Sequence, residues 1–268
     1  MIPAMFFVVG PLRTGSSLIT RCLDDHPSIT CLCESEINRA LFGDYVIEHH
    51  SQRMEAHGFT LAETFRLLDG KKQEDFGSLT QWYADVFPVL QHLYEKPDAI
   101  ILGDKSPDFA RSPAIVAHLA ANYPLVYTVR DPRAILASIE SQDDATPEDK
   151  AERWGLLAMN YLAWKPHLNA PNVLKVRYED LVTDPEPTMY FVYRFLGLSY
   201  STRFLEPFPR KHPERFLWST TVDFETGLNR EFDPTRLDSW RSKLNPAHLD
   251  RILNDPVLVE FMERFDYE

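Results

Sequence analysis

The chain has 268 residues, 44% hydrophobic and 25% charged, which is the balance of a globular protein long enough to bury one large α/β core. Its formal net charge of −12 argues against nucleic acid as a partner, since that recognition needs a basic face, but leaves room for a local basic pocket. No apolar run approaches the ~20 residues of a membrane span, so stable membrane insertion is not expected. Cys22, Cys31 and Cys33 are odd in number, lack the usual zinc-ligand spacing and read as reduced structural thiols. With an apolar strand starting close to Met1 and no room for a secretory signal, the expected location is cytoplasmic.

The first element is the short apolar run Met5 to Val9, followed by Gly10-Pro11-Leu12-Arg13-Thr14-Gly15-Ser16-Ser17 and then the helical pattern Leu18-Ile19-x-x-Cys22-Leu23. Strand, tight glycine loop and helix N-terminus together form a site for a phosphate: the N–H groups and the helix dipole attract an anion. Thr14, Ser16 and Ser17 add hydroxyl donors. A nucleoside-triphosphate loop would carry Lys and Ser/Thr after its last glycine. Here Ser16 follows Gly15, and the loop's cation is Arg13, which grips phosphate oxygens by two N–H groups at once. Such a loop can hold phosphate without a metal.

A second strand, Ile29 to Cys33, ends in Glu34-Ser35-Glu36. Helical segments are expected from Glu36 to His50, Thr60 to Leu68 and Leu79 to Tyr94, with His49-His50 on a polar surface; residues 36–95 read as a helical insertion or flap. Ala99 to Gly103 is a strand leading into Asp104-Lys105-Ser106-Pro107. A helix from Pro113 to Ala121 precedes Leu125 to Val129, the clearest buried strand, which empties into Arg130-Asp131-Pro132-Arg133 and a helix to Ser141. A helix from Pro147 to Trp164, a strand from Val173 to Tyr178 and a helix from Glu186 to Leu196 follow. Residues 199–245 lack periodicity and read as an irregular segment near the site. Helices from Pro246 to Leu253 and Pro256 to Phe265 close a single domain, 1–268.

Strands alternating with helices imply a P-loop-type, mostly parallel sheet flanked by helices. Ligands in such sheets sit outside the carboxyl ends of the strands. Arg13, Glu34, Lys105 and Arg130 all fall there, which points to one shared site. Ser138, eight residues beyond Arg130, reads by spacing alone as a surface helical serine.

Gly10 to Leu18, together with Val129-Arg130-Asp131-Pro132-Arg133-Ala134-Ile135-Leu136-Ala137-Ser138, resembles the two cofactor signatures of sulfotransferases that use 3′-phosphoadenosine-5′-phosphosulfate (PAPS). Val176 to Pro185 and Phe195-Leu196-Gly197-Leu198 resemble a third, structural family stretch. Arg13, where cytosolic members carry Lys, is in the style of the carbohydrate and tyrosylprotein branch and its bacterial relatives. The resemblance implies the sulfotransferase fold, with Arg13, Thr14, Gly15, Ser16 and Ser17 around the 5′-phosphosulfate. Arg130 and Ser138 would hold the 3′-phosphate, reversing the reading of Ser138 from spacing. Glu34 matches the catalytic glutamate of tyrosylprotein sulfotransferases and Lys105 their catalytic lysine. Ser219 falls where a serine lies near the sulfuryl group; Arg241 and Lys243 stand near the place of a later cofactor lysine.

The implied reaction moves the sulfuryl group to a hydroxyl acceptor, or secondarily an amine, releasing PAP, the 3′,5′-bisphosphate, with no metal. Glu34 would take the acceptor's proton, while Arg13 and Lys105 would meet the charge developing on the leaving group. Glu36 is the rival base, or else a first-turn helix glutamate. A nucleotide kinase or other NTPase, and a non-catalytic nucleotide-binding module on the same fold, are the alternatives. Acceptor identity and homo-oligomerisation stay open.

Overall fold

The computed structural model describes residues 4–43, 47–141, 146–202 and 232–268. Five strands, β1 (Ala4–Val9), β2 (Ile29–Cys33), β3 (Ile101–Lys105), β4 (Leu125–Val129) and β5 (Val173–Arg177), form a sheet in the order β2-β3-β1-β4-β5. Every neighbouring pair is parallel. The expected α/β class is therefore observed. The chain builds first to one side of β1 and then to the other, so the connections reverse direction beside β1, where parallel sheets open a crevice at their carboxyl ends.

Both faces of the sheet are covered, which is why β1, β2 and β4 are buried, predominantly apolar runs rather than alternating ones. Met5, Phe7 and Val9 of β1 belong to one core, shared with Trp82, Leu119, Tyr161 and Phe261. Phe6 and Val8 point to the other, against Ile19, Leu23, Met189 and Tyr193. The second core is built by α1 (Ser16–Asp24), α9 (Tyr178–Thr183) and α10 (Pro185–Phe195).

Between β2 and β3 lie four helices, α2 (Ile37–Phe42), α3 (Ile47–Ala56), α4 (Leu61–Leu68) and α5 (Phe76–Leu93). The single helix expected over residues 36–50 is thus two: Gly43 ends α2 with an extended backbone (φ −130°, ψ −175°). α5 starts earlier than expected because the Asp75 carboxylate accepts the N–H groups of Gly77 and Ser78 at 3.1 and 3.0 Å, an N-cap the apolar pattern does not reveal. α6 (Pro113–Asn122), α7 (Pro132–Glu140) and α8 (Pro147–Trp164) match their expected spans closely, as do the C-terminal helices Pro246–Asn254 and Pro256–Arg264.

β2 is an edge strand whose outward backbone groups are met by side chains, which removes a template for unwanted pairing. Asp24 accepts the Cys31 N–H at 2.9 Å, Lys96 donates to Ile29 O at 2.9 Å, and the His57 ring lies 3.2 Å from Cys33 N and O. The three cysteines are buried thiols outside any disulfide.

Gly103 sits where β3 passes the Phe6 ring; a Cβ there would lie 2.4 Å from Phe6 Cζ and 2.7 Å from Cys31 Sγ. Gly103→Ala is expected to cost about 1–3 kcal/mol by overpacking. Gly155, exposed on α8 with nothing within 4 Å of an added Cβ, should gain up to about 1 kcal/mol as Ala. Urea unfolding of the two variants checks the contrast; equal effects would contradict the packing described.

Candidate active site

The loop after β1 is drawn into place by contacts from other strands. Thr14, 1% exposed, donates its hydroxyl to Pro11 O at 2.7 Å and meets Thr128 Oγ1 of β4 at 2.6 Å. This hydroxyl is turned into the fold. Gly15 adopts a left-handed φ of 78°, and a Cβ there would lie 2.4 Å from the Tyr178 ring, so only glycine fits without displacement. Gly15 caps α1 without a side-chain hydrogen bond, leaving first-turn N–H groups that an anion can satisfy. Ser16 is buried at the start of α1 and Ser17 is half-buried beside it.

Arg13 and Arg130 converge on this loop. Arg13 Nε donates to Ser138 Oγ at 3.0 Å, so the serine that spacing placed on the surface faces the loop. Arg130 donates from one terminal nitrogen to Arg13 O at 3.1 Å, and its guanidinium lies 4.3 Å above the Tyr178 ring. Its Nε is buried with no hydrogen-bond partner. An orphaned buried guanidinium N–H beside a helix N-terminus, with a serine hydroxyl and a second arginine, suits a phosphate-bearing ligand. Arg133 is held by its neighbour Asp131 at 2.8 Å and stacks on Trp240 at 4.4 Å.

Glu34 and Lys105 leave the ends of adjacent strands β2 and β3 and form an ion pair through Glu34 Oε1. The Glu34 N–H donates to Lys105 O at 2.6 Å, with Glu34 in the left-handed region (φ 58°). Burial raises the Glu34 pKa, but Lys105, then Arg53 and Arg13, outweigh it and hold the carboxyl below its usual range. Burial pulls Lys105 down, and Glu34 more than restores it. Both groups are charged near neutral pH. This carboxylate can accept a proton while two cations stand ready for negative charge.

Behind the pair lies a buried polar layer. Asp104 Oδ2 accepts from Ser35 Oγ at 2.6 Å and from Tyr83 OH at 2.8 Å. Burial pushes its carboxyl up to about 6 against those hydrogen bonds. His50, expected on the surface, is 1% exposed, its Nδ1 lying 2.7 Å from Ser35 O. Asn160 of α8 donates to both Gly10 O and Pro107 O at 3.0 Å, joining the β1 loop to the lysine loop.

Glu36 caps α2 in the left-handed conformation instead of lying in its first turn. Burial, Asp108 and Glu34 push its carboxyl up to about 7. Arg241, exposed, pairs with Asp238 at 3.1 Å and lies 4.6 Å over Trp240; Lys243, two residues after Arg241, is also exposed. Neither has a described contact with Arg13 or Lys105. Ser219 lies outside the described residues. Sequence reasoning missed Arg53, Asn160 and the Tyr178 ring; only Tyr178, inside the third motif stretch, carried a signal.

The family model described as sulfotransferase family matches residues 3–202. A chicken (Gallus gallus) relative, protein-tyrosine sulfotransferase 2, is 25% identical over 204 residues, 74% of this chain and 52% of the relative, so the chain spans about half its length. Among solved structures, the sulfotransferase domain of the olefin synthase of Synechococcus PCC 7002 is similar at TM-score 0.64 and 24% identity, covering 99% of this chain and 95% of that one. Mouse sulfotransferase SULT7A1 complexed with PAP has TM-score 0.52 and 13% identity, covering 96% and 88%. These structural likenesses show the fold. Among the described residues, no helix is long and apolar enough to cross a membrane.

The raised Glu36 carboxyl makes a prediction with a sign. It binds its proton more tightly folded than unfolded, so the stability it contributes is complete below about pH 4.5 and lost as pH rises to about 7. Glu36→Gln should therefore match the parent at pH 4.5 and exceed it by roughly 2–3 kcal/mol at pH 8. Urea unfolding at both pH values measures this, and equal stability at pH 8 would contradict the buried environment assigned to Glu36.

Proposed function

The chain belongs to the sulfotransferase family, and on that premise we propose that it transfers a sulfuryl group from PAPS to a hydroxyl acceptor. The observation that carries the reading is the Glu34–Lys105 pair at the ends of β2 and β3, beside the Arg13 loop and the N-terminus of α1. The PAP complex of the mouse fold relative supports PAPS as the donor, PAP being what remains after transfer, and the chicken relative's name supports a hydroxyl acceptor.

In this reading Arg13, Gly15, Ser16 and Ser17 surround the 5′-phosphosulfate, and Arg130 with Ser138 takes the 3′-phosphate. Thr14 holds the loop's shape through Pro11 and Thr128. PAPS supplies an already activated sulfuryl group. Glu34 removes the proton of the attacking hydroxyl. Lys105 and Arg13 stabilise the negative charge that grows on the leaving oxygen, and their charge, preset by the fold, needs no reorganisation at the moment of transfer. Residues 1–268 act as one unit, with helices α2 to α5 forming a flap over the site.

Calorimetry without metal should show tight binding of PAP and much weaker binding of adenosine 5′-phosphosulfate and ATP-Mg²⁺. Arg130→Ala should weaken PAP roughly 10- to 100-fold, the worth of a charge-assisted hydrogen bond. Glu34→Gln should lower transfer from labelled PAPS at least ~100-fold while PAP affinity stays within a few-fold. Preference for ATP-Mg²⁺, or full transfer by Glu34→Gln, would overturn the reading.

A further inference from the structure

Two cations share the Glu34 carboxylate, and only one has a role in the reaction described above. Lys105 engages Oε1. Arg53, from the last turn of α3, brings a terminal nitrogen to 3.6 Å from Oε2. That separation is too long for a good hydrogen bond but short for an ion pair. With side chains 24% and 16% exposed, little water screens the attraction.

From this geometry we propose that Arg53 is a positioning residue for sulfuryl transfer: it anchors Glu34 by its second oxygen, so that Oε1 stays with Lys105 and Oε2 is presented to the acceptor's hydroxyl. The inference rests on Glu34 being the base. The two oxygens are held unequally. Oε1 is closely bound by the Lys105 ammonium, whereas Oε2 lies 3.6 Å from the Arg53 guanidinium, beyond a good hydrogen bond. Oε2 is then the atom that takes the proton. As the acceptor O–H bond breaks, its proton goes to Oε2 and its electron pair forms the new O–S bond. The S–O bond to the donor's phosphate breaks with its pair staying on the leaving oxygen.

The electrostatic surroundings are consistent with this division. Glu34 faces Lys105 from β3, Arg53 from α3, Arg13 from the loop after β1 and Glu36 from its own loop. Three cations around one carboxylate keep it ionised against burial. Protonation of Glu34 leaves those cations facing the anionic leaving group, so the proton's arrival and the departure of the leaving oxygen favour one another. The Glu34 carboxylate is held from two other elements, by Lys105 at the end of β3 and by Arg53 of α3.

The two readouts that test Arg53 need no acceptor. Protein labelled with ¹³C at the glutamate δ-carbon is titrated by NMR, the Glu34 signal being the one absent from Glu34→Gln. In Arg53→Gln the Glu34 midpoint should rise by roughly one pH unit, as expected on losing a nearby opposite charge, and Arg53→Lys should return it most of the way. PAP affinity by calorimetry should stay within about twofold in both variants, which also reports that they are folded. An unmoved midpoint in Arg53→Gln overturns the role of Arg53 alone, as does a PAP affinity lowered tenfold or more in both variants. Retained transfer by Glu34→Gln overturns instead the base assignment on which the inference stands.

Discussion

A carboxylate and an ammonium leave the ends of two neighbouring parallel strands, largely withdrawn from water, and the rest of the site is arranged around that pair. Cys33, the residue before Glu34, is the register partner of Lys105 across β2 and β3, which brings the two charged side chains to the same edge. An ion pair this buried is a weak source of stability, since desolvation offsets the attraction. Its placement at the crevice is therefore better explained by chemistry than by folding. The parallel sheet supplies the geometry: each strand delivers its last residues to the same edge, so Arg13, Glu34, Lys105 and Arg130 meet though far apart in the chain.

Backbone strain is concentrated in the same place. Arg13, Glu34 and Glu36 are three of the six non-glycine residues with left-handed φ among the described residues. Each such residue costs about 1 kcal/mol or more and persists when surrounding contacts over-determine it. Those contacts are present: Arg13 is tied to Ser138 and, through its carbonyl, to Arg130; Glu34 to the Lys105 backbone; Glu36 to Arg39. Asn160 and the Ser35–Asp104–Tyr83 layer hold the loops from behind. The cores on the two sheet faces thus fix side chains that they do not touch.

Much of this was legible in the chain, and for identifiable reasons. Apolar runs bounded by glycine and proline marked the strands, because a sheet covered on both faces leaves no alternation. Strand-end positions marked the four charged groups, because parallel strands share one edge. What could not be read depended on contacts across long separations. Ser138 looked like a surface serine until Arg13, 125 residues earlier, was found bonded to it. His50 sits among polar neighbours, yet its ring is buried against Ser35 O. Glu36 has the sequence position of a helix first turn, but its left-handed backbone makes it a cap. Arg53 follows from no motif, since its partner is set by how α3 packs. Ser219 lies beyond the described residues, so its assignment adds nothing to the geometry.

The most direct measurement is a crystal structure of the protein grown with PAP and without metal. The account places the 5′-phosphate against the first-turn N–H groups of α1, within reach of Arg13 and Lys105. It places the 3′-phosphate on the Arg130 Nε and Ser138 Oγ, with the Glu34 carboxylate facing the open side of the 5′ end. A bisphosphate bound away from the β1 loop, or one whose 3′-phosphate leaves Arg130 Nε still unpaired, would contradict it.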